Sequence, residues 1–129
     1  MNIIAVVVTY NRMELLKRNI RCLQQNKPIS SIVIVNNGST DGTTEWLAAQ
    51  EGLTVINQTN VGGAGGFYTG IQYAIRRVRW IWCMDDDVFP RATVWNNSCR
   101  IPARKISAYW PLAGCSKEKY SPMTSRHTT

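Results

Sequence analysis

Ile3-Ile4-Ala5-Val6-Val7-Val8-Thr9 is an unbroken apolar and β-branched run that gives way to Tyr10-Asn11-Arg12. A run with no polar alternation marks a strand covered on both faces, as in a parallel sheet between helices. Downstream of it, Met13, Leu16, Ile20 and Leu23 recur at helical spacing and predict one helix face, ending near Asn26-Lys27-Pro28. Ser31 to Asn36 reads as a second buried strand. The turn Asn37-Gly38-Ser39-Thr40-Asp41-Gly42 follows, with Ser39 or Asp41 as the cap of a helix reaching about Gln50. Leu53 to Asn57 reads as a shorter third strand. After the glycine cluster at 62–66, Phe67, Ile71, Ala74, Ile75 and Val78 predict another helix face, and Trp80 to Met84 a fourth strand. That last strand runs straight into Asp85-Asp86-Asp87.

Strands alternating with helices imply an α/β fold, a Rossmann-like parallel sheet with right-handed crossovers and helices on both faces. In such sheets ligands bind outside the carboxyl ends of the strands, near the point where strand order reverses. The polar and glycine-rich segments sit where that rule wants them, at Thr9 to Arg12, Asn36 to Asp41, Asn60 to Gly66 and Asp85 to Asp87.

The chain of 129 residues, 44% hydrophobic and 18% charged, suits one globular domain and excludes collagen-like, coiled-coil and wholly disordered classes. No apolar run approaches the ~20 residues of a membrane-spanning helix. The start lacks a basic n-region and a small-residue cleavage site, so a cytoplasmic chain with reduced thiols is expected. The four cysteines, Cys22, Cys83, Cys99 and Cys115, form no C-x-x-C pair, which argues against a zinc site. Cys22 and Cys83 read as small core residues, and His127 as neither ligand nor base.

The charge is unevenly placed. Residues 1–90 carry eight Lys/Arg against seven Asp/Glu, and residues 91–129 seven against one, so nearly all of the net +7 lies in the last third. The strand–helix rhythm also stops near Pro90. Residues 91–129 read as a basic, mostly irregular tail, and nothing in it interleaves basic and aromatic residues as a nucleic-acid binder would.

The aspartates come first among the candidates for chemistry. Strand alternation would point Asp85 and Asp87 one way and Asp86 the other. Two carboxylates converging at a strand end repel unless a cation sits between them, and such oxygen ligands suit Mg²⁺ or Mn²⁺. Gly62-Gly63-Ala64-Gly65-Gly66 opens a helix, where backbone N–H groups can approach a phosphate or sugar. It satisfies neither the dinucleotide fingerprint, since the last glycine position is Tyr68, nor a P-loop, since no Lys-Ser or Lys-Thr follows. The glycines also permit close helix–sheet packing.

Together, Val6-Val7-Val8-Thr9-Tyr10-Asn11-Arg12, Ile34-Val35-Asn36-Asn37-Gly38-Ser39-Thr40-Asp41-Gly42-Thr43, Asn60-Val61-Gly62-Gly63-Ala64-Gly65-Gly66-Phe67 and Met84-Asp85-Asp86-Asp87 resemble the amino-terminal half of a family 2 glycosyltransferase with the GT-A fold. Their order and spacing match over residues 2–90, and the glycine and aspartate forms resemble the galactofuranosyltransferase and rhamnosyltransferase branch. The resemblance implies a nucleotide-diphosphate sugar as donor and a glycan or lipid-linked acceptor. It places Thr9, Tyr10 and Arg12 on the base and diphosphate. Asn36 falls where most members carry an aspartate that contacts the uracil or ribose. Asn60, Gly62, Gly63, Gly65 and Gly66 would face the ribose or donor sugar. Asp85 and Asp87 match the D-x-D element as ligands of Mn²⁺ or Mg²⁺, with Asp85 or Asp86 near the ribose or sugar.

The implied reaction is inverting transfer, with metal neutralising the leaving diphosphate and a carboxylate base deprotonating the acceptor. In the family that base comes from the part after the D-x-D element, and residues 91–129 offer only Glu118. The expectation is therefore a GT-A sheet truncated after the D-x-D strand, from a shortened or frame-shifted product. A non-catalytic nucleotide-sugar-binding fragment or inert remnant is the alternative. Peripheral membrane contact through the basic tail and self-association through an uncovered sheet edge are also expected.

Overall fold

The computed structural model describes residues 2–92. The tail expected over 91–129, with Cys99, Cys115, Glu118 and His127, lies almost wholly outside the described residues. Seven elements follow in order: β1 (Ile3–Thr9), α1 (Met13–Gln24), β2 (Ile29–Asn37), α2 (Thr43–Ala48), β3 (Leu53–Gln58), α3 (Gly62–Ala74) and β4 (Trp80–Asp85). The strands form one sheet in the order β3-β2-β1-β4, and every pairing is parallel. β1 is buried along its whole length, as its uninterrupted apolar run requires.

Alternate residues of β1 feed two separate cores. Ile3, Ala5 and Val7 pack with Leu16, Ile20 and Leu23 of α1, Leu47 of α2, and Trp82 and Met84 of β4. Ile4, Val6 and Val8 face the other way, toward Val33 and Val35 of β2 and Ala74 of α3. Helices therefore cover both faces, α1 and α2 on one and α3 on the other. Cys83 is half-buried against the α3 layer, while Cys22 is half-buried on α1.

The expected face of α3 needs correction. Ile75 is 49% exposed, and the residues that the helix buries are Gly66, Gly70 and Ala74, one turn apart. A Cβ on Gly66 would lie 2.6 Å from Val8 Cγ1, and one on Gly70 would collide with Val6 Cγ1. Phe67 and Val78 do pack on this layer from its margins. The helix thus meets the sheet backbone to side chain, and its small residues set the spacing. α2 is also shorter than expected, ending at Ala48 rather than Gln50.

Candidate functional site

β2 and β3 build outward on one side of β1 and β4 lies on the other, so the crevice between the carboxyl ends of β1 and β4 is the switch point of the sheet. Thr9 closes β1 there and donates its hydroxyl to Asp86 Oδ2 at 2.8 Å. Arg12, just before α1, places Nη1 3.5 Å from Asp86 Oδ1 and 3.6 Å from Asp87 Oδ2. The pair Thr9 and Asp86 is buried, 1% and 3% exposed. The side chains of Arg12 and Asp87 are 54% and 53% exposed. The site is layered, with a closed hydrogen-bonded floor beneath an open rim of opposite charges. Tyr10 is exposed beside that rim.

The alternation expected of the aspartates does not extend past the strand. β4 ends at Asp85, where a turn begins and the Val88 N–H donates to the Asp85 carbonyl. Asp86 and Asp87 consequently share Arg12 instead of pointing apart. α1 holds the turn from behind: Asn19 Nδ2 donates to the Val88 carbonyl at 2.6 Å, and the Arg18 guanidinium lies 4.1 Å over the Phe89 ring. Burial pushes the Asp86 carboxyl above its ordinary range, with the Thr9 hydrogen bond and Arg12 opposing. Asp85 is raised as well, first by burial and then by the charge of Asp87.

Asn36, at the end of β2, is internally engaged. Its Nδ2 donates to Thr44 Oγ1 at 2.8 Å and Asn57 Oδ1 at 2.9 Å, and its Oδ1 accepts the Ser39 N–H. Both amide hydrogens are spoken for, so reading a base with them would require exchanging those partners. Asn11 adopts a left-handed φ of 50° and ties the β1 and β2 loops together: its Oδ1 accepts the Thr40 N–H and its own N–H donates to Ser39 Oγ. Ser39 is thereby used. Neither Ser39 nor Asp41 is the cap expected of α2, whose N-cap is Gly42 with no side-chain cap bond; Asp41, one residue earlier, accepts the Thr43 N–H at 3.1 Å. The Thr43 hydroxyl also donates to Asp41 and holds its carboxyl below the ordinary range.

At the β3–α3 turn, Asn60 Oδ1 accepts from Asn37 Nδ2 and from the Gly62 N–H. Gly62 has a φ of +79°, and a Cβ on Gly62 or Gly63 would meet nothing within 4 Å. These two glycines face open space. Gly65 instead abuts the Val61 side chain, and Gly66 packs on Val8. The five-residue cluster thus divides between an open turn and a packed helix face.

Asp85 and Asp87 supply two carboxylates, and Asp85 feels the charge of Asp87. Among the described residues no three His, Cys, Asp or Glu side chains gather into a metal site. A divalent ion that keeps waters and takes further oxygens from a diphosphate fits such a donor set. Asn11 and Asn37 organise these loops, and neither is singled out by the sequence motifs that contain them. A left-handed Asn leaves a faint signal in composition, whereas the partners of Asn37 lie more than twenty residues along the chain.

The family model described as Glycosyl transferase family 2 matches residues 4–96. The chain belongs to glycosyl transferase family 2. Galactofuranosyltransferase GlfT1 of Mycobacterium tuberculosis is 34% identical over 92 residues, 67% of this chain and 30% of that protein. The Mycolicibacterium smegmatis GlfT1 is 35% identical, over 69% of this chain and 31% of its own. An undecaprenyl-phosphate mannosyltransferase of Micrococcus luteus is 29% identical over 60% of this chain and 34% of its own. This family 2 chain therefore spans about a third of the length of the curated relatives it matches. The crystal structure of S. aureus TarS superposes with a TM-score of 0.58 and 22% identity, over 67% of this chain and 17% of that one. That likeness supports the glycosyltransferase α/β fold.

Proposed function

We propose that this family 2 chain binds a UDP- or dTDP-linked sugar at the carboxyl ends of β1 and β4, and forms the donor side of an inverting transfer to a glycan or lipid-linked acceptor. The layered Thr9–Asp86–Arg12–Asp87 arrangement at the switch point carries this reading. The exposed Arg12 guanidinium suits a diphosphate, which it can grip through two parallel hydrogen bonds. Thr9 and Asp86 hold that arginine from below, and Tyr10 borders the base. Asn60, Gly62 and Gly63 border the ribose or donor sugar, with Gly65 and Gly66 holding the turn against the sheet. Asp87, with Asp85, would hold Mn²⁺ or Mg²⁺, and that ion, when bound, supplies Lewis-acid neutralisation of the leaving diphosphate.

In the transfer the acceptor oxygen attacks the anomeric carbon, the bond to the diphosphate breaks, and the acceptor proton passes to a base outside residues 2–92. The names of the relatives, which include two galactofuranosyltransferases and an undecaprenyl-phosphate mannosyltransferase, support transfer of a sugar and, through the last, a lipid-linked acceptor. No helix among the described residues is long and apolar enough to cross a membrane. Action at the cytoplasmic membrane face, aided by the basic segment after residue 90, belongs to the same proposal.

Calorimetric titration of the purified chain with UDP and with dTDP, with and without Mn²⁺, tests it. One nucleotide is expected to bind in a Mn²⁺-dependent manner, and Asp87→Ala to weaken that binding at least about tenfold. Absence of binding by a chain whose circular dichroism shows it folded overturns the reading. Binding without sugar release would assign this chain the role of a donor-binding fragment.

A second expectation concerns the sheet. Among the described residues β3 and β4 each pair on one side only. Parallel edges with free N–H and C=O groups invite pairing, so sedimentation velocity should show association that grows with concentration. A sharp, concentration-independent monomer boundary would refute this.

A further inference from the structure

We propose that Asn37 is a positioning residue that pre-forms the Asn60–Gly63 turn for the donor; this rests on the donor-site reading above. Asn37 ends β2 and is 3% exposed. Its side chain makes four hydrogen bonds, one to Gln58 at the end of β3 and three to the turn that follows it. Nδ2 donates to Asn60 Oδ1 at 3.2 Å and to the Gly62 carbonyl at 3.0 Å. Oδ1 accepts from Gln58 Nε2 at 3.1 Å and from the Val61 N–H at 3.2 Å. One amide thus spends both hydrogens and one lone pair on the turn, gripping backbone atoms of two successive residues, Val61 and Gly62, while its second lone pair ties it to the end of β3.

Burial does not hold this turn in place. Val61 is exposed, Asn60 is exposed, and Gly62 and Gly63 have no side chains to bury. No side chain caps α3 at Val61, and Gly62 sits in the left-handed region where its backbone has many alternatives. Gly38 lets the two loops come this close, since a Cβ there would lie 3.0 Å from the Asn60 nitrogen. The shape of the turn therefore rests on the buried amide of Asn37 together with the bond that the Gly62 N–H donates to Asn60 Oδ1. Holding it before the ligand arrives removes an ordering cost from binding, and each residue that must be ordered on binding weakens affinity by about tenfold.

The test uses the full chain with Asn37→Ala and Asn37→Asp, the second keeping both acceptor bonds and losing both donor bonds. Three readouts are taken well below the melting transition: affinity for UDP or dTDP with Mn²⁺, affinity for Mn²⁺ alone, and amide exchange over residues 60–65. Both variants are expected to bind the nucleotide about tenfold or more weakly. They should exchange faster at 60–65, with Mn²⁺ affinity and β1 exchange unchanged. Nucleotide affinity equal to wild type overturns the proposal. An equal loss of Mn²⁺ affinity also overturns it, because the damage would then be general. Failure of the wild-type chain to bind either nucleotide removes the donor reading itself, and the positioning role with it. Should Asn37→Ala not fold, Asn37→Asp decides.

Discussion

Gly70→Ala is expected to destabilise the protein by about 1–3 kcal/mol, although alanine is the better helix former. The added methyl would collide with Val6 Cγ1 and press on Val35 Cγ2 at 3.1 Å. Both valines are fully buried in the two central strands, and their branched side chains have few alternative rotamers. The helix must therefore lift from the sheet, or the sheet must bend. For a domain of this size the melting temperature should fall by about 4–8 °C per kcal/mol. Gly70→Ala combined with Val6→Ala should cost less than the two changes added, because the second removes the atom the first strikes. Gly63→Ala is the control: its Cβ meets nothing, and a stability gain of about 0.5–1 kcal/mol is expected from helix propensity. Thermal and urea unfolding of the four variants decides the matter. A neutral Gly70→Ala would show that α3 does not rest on β1 as described.

Asp86→Ala is expected to cost about 1–3 kcal/mol and to weaken nucleotide binding as well. It leaves the buried Thr9 hydroxyl without its acceptor and releases Arg12 from the buried half of its ion pair. Asp86→Asn separates charge from hydrogen bonding, since its amide oxygen can still accept from Thr9. The pH dependence carries a definite sign. Burial raises the folded-state pKa of Asp86 above its ordinary 3.8, so the folded protein holds this proton more tightly than the unfolded chain. The contribution of Asp86 to stability is greatest below 3.8 and declines as pH rises through the raised value. Relative to wild type, Asp86→Asn should therefore gain ground as pH is raised from 3 toward 7, measured by urea unfolding at each pH. A difference that does not change with pH would mean that Asp86 titrates normally.

The strands were legible because burial on both faces leaves an uninterrupted apolar run, and β1 begins and ends at the residues its composition indicates. The glycosyltransferase motifs were legible for a related reason, since the sheet delivers each to the same edge. Three features escaped. The face of α3 centres on Gly66 and Gly70, which carry no hydrophobic signal, so the expected face of Phe67, Ile71, Ala74, Ile75 and Val78 coincides with it at Ala74, borders it at Phe67 and Val78, and departs from it at Ile75. The direction of Asp86 depends on β4 ending one residue into the triplet, and strand alternation has no meaning beyond that point. Asn37 gains its role from partners more than twenty positions away, which only the β2–β3 pairing brings near. Local pattern reports on burial well and on long-range polar contacts hardly at all.

The position of β1 between β2 and β4 also sets a timetable for synthesis. Its first neighbour emerges soon after it, but its second is complete only at Asp85, and Thr9 meets Asp86 across 77 positions of chain. At ribosomal speeds of about 5–20 residues per second, one flank of the most hydrophobic strand waits roughly 4–15 s for its mate. During that interval the nascent chain carries a sticky, half-finished sheet, and the contact of Thr9 with Asp86 does not yet exist. Chaperone occupancy on translating ribosomes should accordingly peak before residue 85 is exposed and fall once β4 has docked.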